Sequence, residues 1–219
     1  MVKSKMVDEI DFDEFVTGIS TEIVKGWQGG WGPVENDLRA LLALQNKYKP
    51  KRCLEVGVNK GHAAALMLQE CPWIEEYIGI DLIRIKNDTR RIVPEIAGEV
   101  ALGDPRFKVI TTPKGTNDIK DDEVKGPFDF IFLDAGHKYA NVVFDTEFAE
   151  KRITDGGLLV WHDYGVGRGR RMNEPVFGTK QYVLHRHEKF KNLFVFRYPR
   201  ETSSIAFQVQ KELEIKGKK

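Results

Sequence analysis

The chain has 219 residues, of which 41% are hydrophobic, and a formal net charge of +1 at pH 7. This length supports one substantial hydrophobic core rather than two, and the near-zero charge argues against a general affinity for nucleic acid or acidic membranes. No apolar run approaches the roughly 20 residues that span a bilayer, and the acidic N-terminal segment lacks the apolar core of a signal peptide. We therefore expect a cytoplasmic protein with no membrane association, whose cysteines, Cys53 and Cys71, are free thiols.

The N-terminal part is predicted to be an arm over residues 1–32, ahead of a main domain over 33–210 and a basic tail over 211–219. Its acidic stretch from Asp8 to Glu14 is expected to be a mobile arm or the first turn of a helix. The glycine-rich segment 27–33, "WQGGWGP", contains two tryptophans. It predicts a loop that either closes over a ligand as a lid or fills a gap beside the sheet.

The main domain begins with Pro33, which suits the first position of a helix that carries Leu38, Leu41 and Leu42 at helical spacing. Strands and helices then alternate. Strands are predicted at 52–58, 77–82, 107–112, 128–135 and 157–164, and helices at 61–71, 90–100, 141–153 and 181–190. Helices of this length between strands require right-handed crossovers and a parallel sheet covered on both faces.

The last two predicted strands, 193–198 and 203–210, are joined by a connection too short for a crossover, so they should form an antiparallel hairpin at the sheet edge. The predicted fold is therefore α/β: a doubly wound, mostly parallel sheet of about seven strands with an antiparallel C-terminal pair. Ligands of such sheets bind outside the carboxyl ends of the strands.

The first two strand ends carry a pattern suited to a nucleoside. Glu55, Gly57 and Gly61 follow the first strand, where glycine lets the backbone approach a ligand and the next helix offers free amides. Asp81 ends the second strand, about twenty residues further on, where an acid can accept hydrogen bonds from ribose. The alternatives are that the glycines serve only tight packing and that Asp81 is a solvated loop residue.

Four segments, "LEVGVNKG", "YIGIDL", "FDFIFLDAGHKY" and "DGGLLVWHDYG", resemble in order and spacing the motifs of class I S-adenosylmethionine-dependent methyltransferases. The resemblance covers about Lys51 to Tyr164 and implies a Rossmann-like fold with S-adenosylmethionine as cofactor. The missing G-x-G-x-x-G and P-loop motifs argue against a nicotinamide enzyme and a P-loop protein.

The same resemblance assigns the cofactor contacts. It places Glu55 and Gly57 beside the amino acid part of the cofactor and Asp81 on its ribose. Adenine is expected near Gly115, Thr116 and Asn117. The further predicted cofactor residues are Asn59, which stands where the family has its middle glycine, Gly61 and Asp134.

A polar cluster is expected where the fourth and fifth strands end. Asp134 ends one and His162–Asp163 ends the other, and neighbouring parallel strands would bring these groups within a few ångströms. Two carboxylates and an imidazole are the composition of a metal site. The alternative is that Asp163 caps a turn while His162 packs under the sheet.

The Asp134-x-x-His137 pattern is similar to that of metal-dependent sugar O-methyltransferases. The resemblance implies Asp134 and Asp163 as ligands of a divalent metal, Mg²⁺ or Mn²⁺, and His137 as the catalytic base beside Asp134. Those enzymes have a carboxylate at position 162. His162 is therefore a third ligand of a softer ion, or lies behind the ligands, or no ion binds.

Substrate contacts are predicted for Tyr139, Tyr164 and Arg168. Tyr139 either orients the substrate or packs on the sheet at a helix start. The arginine-rich loop 165–178 favours an anionic substrate, unless it is simply a solvated loop. Asp145, on the following helix, is expected on a solvated face.

The predicted activity is methyl transfer to a hydroxyl of a small molecule of the sugar or natural-product type, assisted by a metal and a histidine base. An RNA methyltransferase and a non-catalytic methyltransferase-like binding subunit are the alternatives, with nucleic acid the less favoured partner. Assembly into a homo-oligomer is left open.

Overall fold

An eight-stranded sheet organises the protein in the computed structural model. The structure describes residues 7–27, 34–88, 91–165, 177–190, 192–197 and 205–210, without the side chains of 84–95, Phe177 and Arg197. Its strands are β1 (Asp8–Asp11), β2 (Arg52–Val56), β3 (Glu76–Leu82), β4 (Arg84–Asp88), β5 (Arg91–Glu95), β6 (Phe107–Thr112), β7 (Phe128–Leu133), β8 (Ile153–Trp161), β9 (Leu193–Arg197) and β10 (Ala206–Val209). Its α-helices are α1 (Phe12–Phe15), α2 (Thr21–Lys25), α3 (Glu35–Tyr48), α4 (His62–Glu70), α5 (Tyr139–Glu150) and α6 (Phe177–Lys189).

The strand order of the main sheet is β1-β9-β10-β8-β7-β2-β3-β6, and β10 alone among these strands runs antiparallel to its neighbours. The chain first builds outward from β2 through β3 to β6, then returns to add β7 and β8 on the other side of β2. Strand order therefore reverses between β2 and β7. Such a switch point opens a crevice at the carboxyl ends of the strands.

Two hydrophobic cores cover the two faces of this sheet. One packs α1, α3 and α4 against inward side chains such as Cys53, Phe130 and Phe132. The other packs α5 and α6 against alternate residues of the same strands, including Leu54 and Ile131. Residues on both faces of the central strands are therefore buried, which explains why these strands read as continuous apolar runs. The α/β, doubly wound fold class is confirmed.

The N-terminal segment corrects two expectations about the sheet. Asp8–Asp11 is a strand that pairs parallel with β9, rather than a mobile arm or a helical turn, and the helix begins only at Phe12. The main sheet consequently has eight strands instead of seven. The C-terminal hairpin of β9 and β10 lies inside the sheet, because β1 forms the edge beyond it.

The helix predicted over 90–100 was wrong. Arg91–Glu95 forms a separate two-stranded antiparallel sheet with Arg84–Asp88, and Gly98 follows with a φ of 72°. Ile92 and Val93 favour extended backbone, and Pro94 would have stood in the interior of the predicted helix. Among the described helices, none has the length and apolarity needed to cross a membrane.

Candidate functional site

A cavity of about 410 Å³ lies at the switch point, beside the carboxyl ends of β2, β3 and β6. Residues expected at the cofactor contribute five of its lining positions: Gly57, Asp81, Gly115, Thr116 and Asn117. The remaining lining residues are Val56, Ile80, Leu82, Lys114, Ala135, Gly136, Ala140, Asn141, Phe144 and Asp145. The walls thus combine apolar side chains with a few polar groups, which is the usual composition of a small-molecule site.

Gly57 lets two strand ends meet at this cavity. Its φ is 93°, and a Cβ atom built on it would lie 2.2 Å from the backbone oxygen of Asp134. No larger residue fits without separating the ends of β2 and β7. The glycine is therefore required by close backbone approach as well as by its conformation.

Asp81 is held at the cavity by backbone amides. The N–H of Asn59 donates to its Oδ2 at 2.5 Å, and the N–H of Leu82 donates to its Oδ1 at 2.6 Å. Asn59 adopts a φ of 49°, which asparagine tolerates better than most residues with a Cβ. Asparagine can therefore replace the family's middle glycine here, because its left-handed backbone still directs an amide at Asp81.

Thr116 and Asp145 form a hydrogen-bonded pair in the cavity wall. The Thr116 hydroxyl donates to Asp145 Oδ1 at 2.6 Å, and both residues are buried. Thr116 comes from the short 3₁₀ helix Gly115–Asp118 that follows β6. The expectation that Asp145 lies on a solvated face was wrong: burial raises the pKa of its carboxyl, an effect that the Thr116 hydrogen bond opposes.

Glu55 and Gly61 lie behind the cavity rather than in its wall. The Tyr77 hydroxyl donates to Glu55 Oε2 at 2.8 Å, and the Glu55 side chain is buried within the sheet. Burial raises the pKa of Glu55 well above its usual value, against the effect of the Tyr77 hydrogen bond. Gly61 precedes α4 and packs on Gly98, where an added Cβ would lie 2.9 Å from the Gly98 Cα.

The second polar cluster of the site surrounds His162, at the end of β8. Its Nδ1 lies 2.8 Å from Asp134 Oδ1 and 3.7 Å from Asp163 Oδ1, and its Nε2 lies 2.9 Å from Asp37 Oδ2. The structure thus brings Asp134, His162 and Asp163 together as expected from the strand order. It adds a third carboxylate from α3.

The surroundings of His162 determine its charge. Burial by itself lowers the pKa of this imidazole, but the carboxylates of Asp134 and Asp37 outweigh burial and raise the pKa well above its usual value. Opposite charges at such distances favour the charged form. This arrangement favours the imidazolium form of His162 between Asp37 and Asp134, although burial raises the pKa of the Asp134 carboxyl against the effect of His162.

Asp37 is the member of this cluster that the sequence reasoning missed. It lies in the first turn of α3, is fully buried, and also accepts a 3.4 Å hydrogen bond from the N–H of Val34. A signal was available, because Asp37 and Leu41 stand four residues apart on the stripe of the helix that faces the core. A carboxylate buried on such a stripe requires a partner.

His137 and Asp163 form a more accessible pair. His137 Nδ1 lies 3.1 Å from Asp163 Oδ2, and the His137 side chain is 39% exposed. Asp163 adopts a φ of 58°, an uncommon conformation for a residue with a Cβ, and such conformations concentrate at functional sites. One ring nitrogen of His137 thus has a carboxylate partner on the protein, and the ring is accessible to solvent.

The cluster does not present the predicted metal ligands in a coordinating arrangement. Within the described ranges, no three His, Cys, Asp or Glu side chains are placed to hold a metal ion. The ring nitrogens of His162 lie 2.9 and 2.8 Å from carboxylate oxygens of Asp37 and Asp134, and a protonated imidazole has no lone pair to offer a metal. The sequence-based expectation of His162 as a ligand therefore does not fit this geometry.

The predicted substrate residues fall in different places. The Tyr139 hydroxyl lies 3.1 Å from His185 Nδ1, and its ring contacts Tyr182, so Tyr139 packs against α6. Tyr164 is partly buried beside the ammonium group of Lys180. Arg168 lies outside the described residues, as does the segment 28–33 of the predicted lid.

Comparison with known proteins agrees with this architecture. The O-methyltransferase from Bacillus cereus in complex with SAH has a TM-score of 0.56 at 16% identity, over 91% of this chain and 92% of that one. The SAH-bound methyltransferase PaMTH1 of Podospora anserina has a TM-score of 0.59 at 16% identity, over 87% and 88%. The O-methyltransferase TomG of Streptomyces achromogenes, in complex with SAM, has a TM-score of 0.55 at 13% identity, over 94% and 93%. At these identities the likeness establishes the fold.

A curated relative, the polyamine aminopropyltransferase of Korarchaeum cryptofilum, is 28% identical over 152 residues, which is 67% of this chain and 45% of the relative. The chain thus spans less than half the length of that protein.

The methyltransferase domain family matches residues 54–164, which is half of the chain and nearly the same stretch as the motifs described above. The expectation of a class I methyltransferase is confirmed, and the chain belongs to the methyltransferase domain family.

Proposed function

We propose that the protein transfers a methyl group from S-adenosylmethionine to a hydroxyl of a small molecule, with His137 as the general base. The observation that carries the proposal is the adjacency of two features at one sheet edge. The cavity with Asp81 on its wall and the His137–Asp163 pair both adjoin the Asp134–Gly136 segment after β7.

The cavity suits the cofactor in size and in donor chemistry. Gly57 keeps the backbone between β2 and β7 free of side chains. Asp81, fixed by two amides, offers a carboxylate to ribose hydroxyls. Thr116 and Asp145 add polar atoms on the opposite side, near the residues expected at adenine.

The bound cofactor would supply an electrophilic methyl group. A substrate hydroxyl is a poor nucleophile until it loses its proton, so a base within hydrogen-bond reach is needed. Asp163 holds Nδ1 of His137 and thereby favours the tautomer whose Nε2 carries the lone pair. Nε2 of His137 would accept the substrate proton, while the Asp163 carboxylate stabilises the resulting imidazolium.

Metal assistance stays a prediction from the sequence. The ring nitrogens of His162 face Asp37 and Asp134, so the histidine does not fit a ligand set with Asp134 and Asp163. The base and its partner carboxylate account for proton removal without an ion. Recognition of an anionic substrate by Arg168 likewise stays a prediction.

Calorimetry with S-adenosylmethionine and S-adenosylhomocysteine tests cofactor binding first. Micromolar binding is expected, and absence of binding to either compound would contradict the proposal. Transfer of a labelled methyl group to a panel of hydroxylated small molecules, sugars included, then tests the reaction. Mass spectrometry of the products distinguishes methyl from aminopropyl addition, the transfer named in the curated relative.

Substitution of the base tests the mechanism. His137→Ala should lower kcat by about 10²- to 10⁴-fold, the usual contribution of general-base catalysis, and leave cofactor affinity near that of the natural protein. Lys138→Ala, an exposed neighbour, is the matched control and should retain activity. A His137→Ala variant with full kcat would rule out this base.

A further inference from the structure

Three carboxylates from three different elements converge on one buried imidazole. Asp37 comes from α3, Asp134 follows β7 and Asp163 follows β8, with oxygen atoms 2.9, 2.8 and 3.7 Å from the ring nitrogens of His162. The side chains of Asp37, Asp134 and His162 are exposed by 0%, 10% and 8%. Each carboxylate lies on a segment that the other two do not share.

We propose that His162 is the resident cation of this site, occupying among Asp37, Asp134 and Asp163 the position that a divalent metal ion would otherwise take. The proposal goes beyond methyl transfer, although it concerns the same strand ends. It assigns to a side chain the charge compensation and the ordering of carboxylates that a metal could supply.

The negative charge of the buried carboxylates requires a cation among them. Carboxylates removed from water are costly unless a cation or several donors compensate them. The imidazolium has two N–H donors: Nε2 is within hydrogen-bond distance of Asp37, and Nδ1 lies within ion-pair distance of Asp134. A single cation thus satisfies carboxylates that arrive from separate elements.

Shape supports the same assignment. The ring of Phe132 meets the His162 ring edge-on, with centroids 6.1 Å apart, and His162 is 7% exposed. The ring is therefore buried, with Phe132 packed against it and carboxylate oxygens near its nitrogens. Removing it would leave carboxylate oxygens around a space of side-chain size, and oxygen ligands are those that Mg²⁺ and Mn²⁺ prefer.

The test measures Mn²⁺ binding by calorimetry, with protein first stripped by a chelator and with neither cofactor nor substrate present. The natural protein should show no binding in this cluster at submillimolar Mn²⁺. His162→Ala, which clears the space and keeps the carboxylates, should gain a site at least 10-fold tighter than any in the natural protein. His162→Ala combined with Asp134→Asn should lose it again.

Two results would overturn the proposal. One is Mn²⁺ binding by the natural protein that disappears in Asp134→Asn, since the site would then take metal beside His162. The other is a folded His162→Ala variant that gains no Mn²⁺ site.

If His162→Ala does not fold, His162→Gln is used, and Mn²⁺ should raise its Tm while leaving that of the natural protein unchanged. No shift in His162→Gln would count against the proposal. Because methyl transfer is not measured, failure of the proposed function leaves this readout intact.

Discussion

The two halves of the sheet edge at the carboxyl ends of the strands hold their acidic residues in opposite ways. On the side of β2, β3 and β6, Asp81 is held by the N–H groups of Asn59 and Leu82 and borders an open cavity. On the side of β7 and β8, Asp134 is held by His162, and the space is filled by the protein's own side chains. A carboxylate held by backbone N–H groups can still accept hydrogen bonds from a ligand. A carboxylate paired with a side-chain cation is neutralised within the protein and is less available to a ligand.

The two halves should therefore contribute differently to ligand affinity and to folding stability. The cavity half should affect ligand affinity more than folding, because Asp81 is held by the N–H groups of Asn59 and Leu82 rather than by a side-chain cation. The cluster half should affect folding strongly, because Asp37 joins α3 to the ends of β7 and β8 through His162. Four substitutions, ordered by expected effect, test that separation.

The largest effect is expected for Asp37→Ala, which removes one carboxylate from a buried ion pair. Removal of one partner from a buried pair costs up to about 3–5 kcal/mol; here the buried Nε2 of His162 loses its acceptor, while Asp134 still offsets part of the charge. Urea denaturation measures the free energy of unfolding, with Asp37→Asn as the milder variant that keeps a hydrogen-bond acceptor. A loss below about 1 kcal/mol would show that the cluster does not stabilise the fold.

Asp81→Ala should weaken binding of S-adenosylhomocysteine by about 100-fold or more and change stability much less. Each hydrogen bond from a ribose hydroxyl to a carboxylate contributes about 1.5–3 kcal/mol, and the substitution removes both that Asp81 could accept. Calorimetry gives the affinity, and Asp122→Ala, an exposed aspartate elsewhere, is the control. Unchanged affinity would mean that the cavity binds its ligand without Asp81.

Asp145→Asn should reduce the same affinity by about 10-fold, as expected for one lost hydrogen bond to a charged acceptor. The amide presents N–H donors where the carboxylate presents only acceptors toward the amino group of adenine. Glu147→Gln, an exposed change on the same helix, should have no effect. Equal affinities for Asp145→Asn and the natural protein would remove Asp145 from the adenine contacts.

Glu55→Gln should raise the free energy of unfolding at pH 7, because the neutral amide avoids the cost of burying a carboxylate or of protonating it at neutral pH. Burial raises the folded-state pKa of Glu55 well above its usual 4.5, so the folded protein holds this proton more tightly than the unfolded chain. The contribution is complete below the unfolded pKa and is lost as pH rises toward the folded pKa. The stability of Glu55→Gln should therefore decline less between pH 5 and pH 8, as denaturation series at each pH can determine. A parallel decline in both proteins would contradict a neutral Glu55.

Several elements of the fold could be predicted because their patterns are local. The apolar runs of β2, β3, β7 and β8 and the spacing of Gly57 and Asp81 needed no tertiary information. The helix predicted for 90–100 was wrong because the segment has mixed helix and strand propensities and because Pro94 disfavours a helix interior. Strand β1 was not predicted because this short acidic stretch forms a strand only by pairing with β9, which is distant in the sequence.

The order of the strand ends follows from sequence patterns alone, and so does the grouping of Asp81, Asp134, His137, His162 and Asp163 at one edge. This is because parallel strands place their carboxyl ends together whatever lies between them. The packing of α3 and α5 on the sheet is what brings Asp37 to His162 and Asp145 to Thr116 at the cavity. Those contacts join residues 125 and 29 positions apart, and such distant pairings follow from how helices pack on a sheet, which no local pattern encodes.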